Sequence, residues 1–207
     1  MADLEAQETF IQLPIQIDPS TKAVTSTSTS SSTALDAELK SLNTLHRSLL
    51  ALDTPNSVPP PPVPVNPKRS AQIGKLRDSA NSELRKGKHA DAIRMYSLGI
   101  EMAQGRPPWE PAGLVREELS ALYSNRAQAH MGMQAWPEGA IDAECSTELK
   151  RVRNAKAWWR RGQCLVEMGR LDEAKEWVAR AIDFENGEQE LKTLLEEIEK
   201  KIESKRR

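Results

Sequence analysis

The sequence predicts a mainly α fold: three stacked helix–turn–helix repeats closed by a C-terminal capping helix and preceded by a small α+β segment. Three observations lead there. From Ile73 onward, small and apolar residues return at a fixed interval. Near the C-terminus, Leu191, Leu194, Leu195, Ile198 and Ile202 form one amphipathic stripe among charges, as expected of a helix that covers the last exposed repeat face. Before Ile73 the pattern changes from period-two alternation to a leucine stripe and then to a proline run.

The elements follow in order. Ile11, Leu13, Ile15 and Ile17 alternate with Gln12, Pro14 and Gln16, which predicts one apolar strand face, with Pro14 confining it to a sheet edge. A short second strand around Ala23 and Val24 would pair with it. Residues 25–33 are all Ser or Thr, too polar to bury, and read as a flexible loop ending in a cap, Thr33. Leu35, Leu39, Leu42, Leu45, Leu49 and Leu52 then recur at spacings of three and four, on one helical stripe. This segment, 1–53, is too small to bury the stripe well by itself. Either the helix packs on its own strands or the repeat body, or the segment completes its core against another protein. The second reading is favoured. Seven prolines in residues 54–67 predict an extended, semi-rigid linker.

The domain at 68–207 carries the repeats. Repeat one is 73–106, with Leu76, Ala80, Ala92, Tyr96 and Gly99 at packing positions and Gly87 in the turn. An insertion of 13 residues, 107–119, follows; its later half is helix-compatible and should lengthen the next helix. Repeat two is 120–154, and repeat three, 155–188, is the most regular, with Trp158, Gly162, Leu165, Gly169, Ala174, Val178 and Ala181 in place. The cap is 189–204. The interval of about 34 residues and these residue types are those of the tetratricopeptide (TPR) repeat.

Composition bounds what such an array does. Lys plus Arg number 29 and Asp plus Glu 30, a formal net charge of −1, so nothing global points to nucleic acid. No apolar run approaches the roughly 20 residues needed to cross a bilayer, and the start Met-Ala-Asp-Leu-Glu has none of the features of a signal peptide. Cys145 and Cys164 fall in predicted helices and read as reduced small hydrophobes. His46, His89 and His130 stand apart from any ligand-spaced cluster, and there is no phosphate loop or nucleophile elbow. No catalysis, metal or cofactor is expected.

Function must then lie on the concave face, which the first helix of each repeat lines. Arg77 and Asn81 share one helix face, Lys156 and Arg160 share another, and Asn125 lies between them on the middle repeat. Three cations and two amides toward one concavity suit a peptide end carrying two carboxylates. Arg126, His130 and Arg161 read as packing or rim residues. Gln128 and Met131 lie where a ligand's apolar side chain would pass.

These five residues resemble the two-carboxylate clamp of TPR co-chaperones, which grip the C-terminal Glu-Glu-Val-Asp of cytosolic heat-shock chaperones. The departure is Arg77, where many clamps have Lys; it keeps the charge and changes the donor geometry. Leu13-Pro14-Ile15-Gln16-Ile17-Asp18, Leu49-Leu50-Ala51-Leu52-Asp53-Thr54-Pro55, the stretch 58–67 and Trp158-Trp159-Arg160-Arg161-Gly162 resemble the TPR-bearing cytosolic subunit of the fungal endoplasmic-reticulum (ER) Sec translocation complex. That resemblance implies a peripheral place on the cytoplasmic face of the ER membrane. It also implies chaperone tails as ligands, the seventy-kilodalton class favoured, and a membrane-anchored Sec subunit bound by the N-terminal segment and its leucines. A soluble TPR co-chaperone adaptor without a membrane partner is the alternative.

Overall fold

The computed structural model describes residues 13–27, 32–52, 65–185 and 187–206. Ile11 and Gln12 of the strand, residues 28–31 of the Ser/Thr run and residues 53–64 of the proline-rich stretch lie outside them. The chain divides into two compact units, Met1–Pro61 and Pro62–Arg207.

In the first unit, β1 (Ile15–Ile17) pairs antiparallel with β2 (Val24–Ser26), Gln16 opposite Thr25. The connecting turn is organised by Asp18, whose carboxylate accepts from Ser20 N at 2.8 Å, Thr21 N at 2.7 Å and the Ser20 hydroxyl at 2.6 Å. Those donors, the Ser20 hydroxyl foremost, lower the Asp18 pKa to about 2. Helix α1 (Thr33–Leu50) packs on β2. Its Asn43 accepts from Val24 N at 2.8 Å and donates to Val24 O at 2.7 Å, as a neighbouring strand would.

Four expectations need correction here. Thr25 and Ser26 belong to β2 rather than to a Ser/Thr loop. The N-cap is Ser32 rather than Thr33, because the Ser32 hydroxyl is the oxygen that accepts from Leu35 N. Leu52 lies beyond the helix, which ends at Leu50. The leucine stripe is not evenly covered: Leu39 is buried and Leu35, Leu45, Leu49 and Leu52 are half-buried, but Leu42, in mid-stripe, is 48% exposed. Two strands of three residues are too short to reach across it.

In the second unit, three antiparallel hairpins follow one another: α2 (Pro67–Arg85) with α3 (His89–Gln104), α4 (Ala112–Gly132) with α5 (Trp136–Leu149), and α6 (Ala155–Glu167) with α7 (Leu171–Phe184). Helix α8 (Gln189–Arg206) closes the stack against α6 and α7. This is the three-repeat TPR architecture with a C-terminal cap. Pro67, counted with the linker on sequence, opens α2, where its missing N–H costs nothing, and Asn66 caps by accepting from Lys68 N at 3.0 Å.

The helices approach closely because the contact positions are small. Ala80, Ala92, Ala127, Ala157, Ala174 and Ala181 are fully buried. A Cβ at Gly162 would lie 2.6 Å from Val178 Cγ2, so α6 and α7 can cross there only over a glycine. Around that crossing Trp158 packs on Trp177 with ring centroids 4.4 Å apart, and Leu191, Leu194 and Ile198 of α8 complete the core. The insertion after repeat one is held by Arg106, whose buried guanidinium bonds Glu110, Glu118 and Ser70. It lengthens α4, which begins at Ala112, inside the first half of the insertion.

Candidate functional site

The first helices of the hairpins, α2, α4 and α6, carry the groove residues. On α6, Arg160 lies under the surface, only 8% exposed, because the third hairpin packs its helix directly on α4. Its guanidinium donates to Ser124 O at 2.9 Å, to Ser124 Oγ at 2.5 Å and to Gln128 Oε1 at 2.7 Å. All three acceptors are neutral. Lys156, one turn earlier, is exposed.

Arg106, Arg126 and Arg161, buried or half-buried in this unit, are compensated by carboxylates. Arg106 meets Glu110 and Glu118. Arg126 forms a fork on Asp142 with two bonds of 2.7 Å, bonds Ser97 Oγ at 2.9 Å, and shares Asp142 with His130 at 3.7 Å. Arg161 meets Glu144 and Glu173 and lies 4.2 Å over the Trp177 ring. Burial lowers the His130 pKa more than Asp142 raises it. Burial likewise lowers the Arg160 pKa, with no carboxylate opposing it.

Asn81 on α2 and Asn125 on α4 meet directly, Asn125 Nδ2 donating to Asn81 Oδ1 at 3.2 Å. Asn125, Lys156 and Arg160 line one open cavity of about 680 Å³ with Ser124 and Asn154. A second cavity of about 310 Å³ joins Lys156 and Arg160 to Gln128, Met131 and Trp159. Asn81 and Arg77 line neither cavity. Asn81 is joined to the lining through Asn125, whereas the Arg77 guanidinium turns onto its neighbour Asp78 at 3.2 Å.

Four groups are added by the structure. Ser124 seats Arg160, Trp159 walls the second cavity, and Tyr96 donates to Asn81 Oδ1 at 2.6 Å. Glu190, in the first turn of α8, lines both cavities beside the two cations. Sequence placed Tyr96 in the core and Glu190 on a solvated cap, since periodicity reports burial and not which helix faces which. Chemically, the site offers anchored donors to an anion. Cys164 is buried and its thiol pushed up to about 12 by that burial. Among the described residues no group of three or more His, Cys, Asp or Glu is placed to hold a metal ion, and no helix is long and apolar enough to cross a membrane.

No protein-family profile matches the chain. It is 33% identical over 141 residues to the ER protein translocation subcomplex subunit sec67 of Schizosaccharomyces pombe, covering 67% of this chain and 73% of that protein. Among solved structures, a chain of the Sec complex from S. cerevisiae superposes with a TM-score of 0.73 at 22% identity, over 92% of this chain and 98% of that one. The second TPR domain of human RPAP3, solved with the HSP70 peptide SGPTIEEVD, superposes with a TM-score of 0.53 at 27% identity, over 63% of this chain and 98% of that one.

Proposed function

Because the chain belongs to the family of ER protein-translocation subunits that includes sec67, we propose that it is a non-catalytic adaptor whose TPR groove docks the acidic C-terminal tail of a cytosolic heat-shock chaperone. One observation carries the reading. Among the described residues, Arg160 is a buried cation satisfied only by neutral acceptors, with Lys156 free beside it, Asn125 lining the same cavity and Asn81 bonded to Asn125. Burying a charge without a counter-ion is costly, and an incoming carboxylate removes that cost while gaining charge-assisted bonds. The two cations meet one carboxylate, and the amides of Asn81 and Asn125 give directed neutral bonds to the other. Arg77 joins by leaving Asp78, an exchange that costs little because a surface pair contributes only about 0–1 kcal/mol. The HSP70 peptide held by the similar RPAP3 domain ends in EEVD, a tail of this chemistry.

The N-terminal unit supplies the second half of the function, binding a membrane-anchored partner subunit and so holding the adaptor peripherally at the cytoplasmic face of the ER. Leu13, Ile15, Ile17 and Leu42 expose apolar surface that such a partner would cover. A freely diffusing co-chaperone adaptor would have no use for that surface. The tail reading is tested by calorimetric titration of the full chain with a Glu-Glu-Val-Asp peptide, as the free C-terminal acid and as the C-terminal amide. Binding of the acid and not of the amide is expected. Equal binding, or none, refutes the groove as a carboxylate clamp.

A further inference from the structure

The two asparagines of the groove meet through one oxygen. Asn81 Oδ1 accepts from the Tyr96 hydroxyl at 2.6 Å and from Asn125 Nδ2 at 3.2 Å. An amide oxygen has two lone pairs, and both are engaged; while Asn125 presents its Nδ2, the reverse flip of Asn81 would set two donors against each other, so this flip is favoured. Tyr96 itself is immobile: it is 0% exposed and packs in the core with Ile73, Ala80, Ala92 and Leu122. We propose that Tyr96 is a positioning residue for ligand binding, its hydroxyl holding Asn81 Oδ1 inward so that the Asn81 Nδ2 donors, with the remaining Asn125 Nδ2 donor, face an incoming carboxylate.

The inference rests on the tail-docking reading of the same groove. Its physical basis is the two-faced character of an amide. An unrestrained Asn presents its oxygen to an anion as readily as its nitrogen, and the oxygen repels. Locking the flip removes the wrong orientation before the ligand arrives, which is preorganisation of the kind that lowers the cost of binding. The hydroxyl is fit for the task because it stays a donor: burial raises the Tyr96 pKa, and the charges of Arg160, Arg85 and Arg77 only partly oppose that.

Tyr96→Phe in the full chain tests it, since the ring and its packing remain. Affinity for the acid-terminated Glu-Glu-Val-Asp peptide should fall about three- to ten-fold, the value of one hydrogen bond, and the preference for acid over amide should fall with it. Adding Tyr96→Phe to Asn81→Ala should change nothing further, because the hydroxyl acts through that amide. In the unliganded protein, the Asn81 side-chain 1H–15N resonances should move in Tyr96→Phe. If the wild type prefers the acid while Tyr96→Phe leaves both that preference and the Asn81 resonances unchanged, the positioning role is overturned and the groove reading stands. A wild type indifferent to acid or amide overturns both.

Discussion

A single guanidinium separates this groove from an ordinary solvated helix face. Arg106 is buried, Arg126 and Arg161 are half-buried, and each meets the chain's own carboxylates, whereas among the described residues Arg160 is bonded only to Ser124 and Gln128. Replacing Arg160 by Ala should weaken acid-peptide binding by about 2–5 kcal/mol, the cost of removing one partner of a desolvated charged pair, with circular dichroism confirming that the helices remain. Unchanged affinity would remove Arg160 from the site. Glu190 pulls the other way. Its carboxylate shares both cavities with Lys156 and Arg160 without reaching ion-pair distance, so it weakens the field that an acidic tail meets. Glu190→Gln should tighten binding about two- to five-fold at low salt, and the gain should shrink as ionic strength rises, as expected of an exposed charge. Arg77, Asn81, Asn125, Lys156 and Arg160 were all legible as groove candidates, because helical spacing alone says which side chains share a face. The turning of Arg77 onto Asp78 and the approach of Glu190 were not, since each depends on a neighbour's position in space.

The hairpins differ from one another at their turns. Gly87 and Gly169 occupy the left-handed region, at φ 74° and 76°, and let α2 and α6 reverse into α3 and α7. The middle hairpin makes the same reversal with Gln134, at φ 58°. A side chain in that region costs roughly 1–2 kcal/mol, and glycine avoids it at some expense in unfolded-state entropy. Gln134→Gly should therefore stabilise the protein by about 0.5–1 kcal/mol, read as a higher urea midpoint at constant slope. A lower midpoint would mean that the exposed Gln134 side chain contributes more than its strained backbone costs. Local capping moved two helix starts: Ser32 rather than Thr33 caps α1, and Asn66 starts α2 at Pro67 inside the proline-rich stretch.

At the scale of the whole molecule, the chain forms two compact units. The repeat unit closes its own core, with α8 burying Leu191, Leu194 and Ile198. The described residues of the first unit leave apolar surface open: Leu13, Ile15 and Ile17 of β1 and its flank are 51%, 49% and 63% exposed, and Leu42 of α1 is 48% exposed. The double variant Ile15→Lys and Ile17→Lys should leave the fold and tail binding intact, because both side chains already face water. It should abolish co-fractionation of the protein with ER membranes. Retention of membrane association would assign partner binding elsewhere. The sequence by itself determined the repeat architecture, the capping helix and the strand pairing, and it offered the groove candidates, because periodicity encodes which face of an element is buried. Only the tertiary structure decided that Arg160 has no counter-ion among the described residues, that Tyr96 bonds Asn81, that Glu190 lines the cavities of the two cations and that Leu42 stays 48% exposed. Each of these depends on which side chains are neighbours in space, and a one-dimensional pattern does not carry such distances.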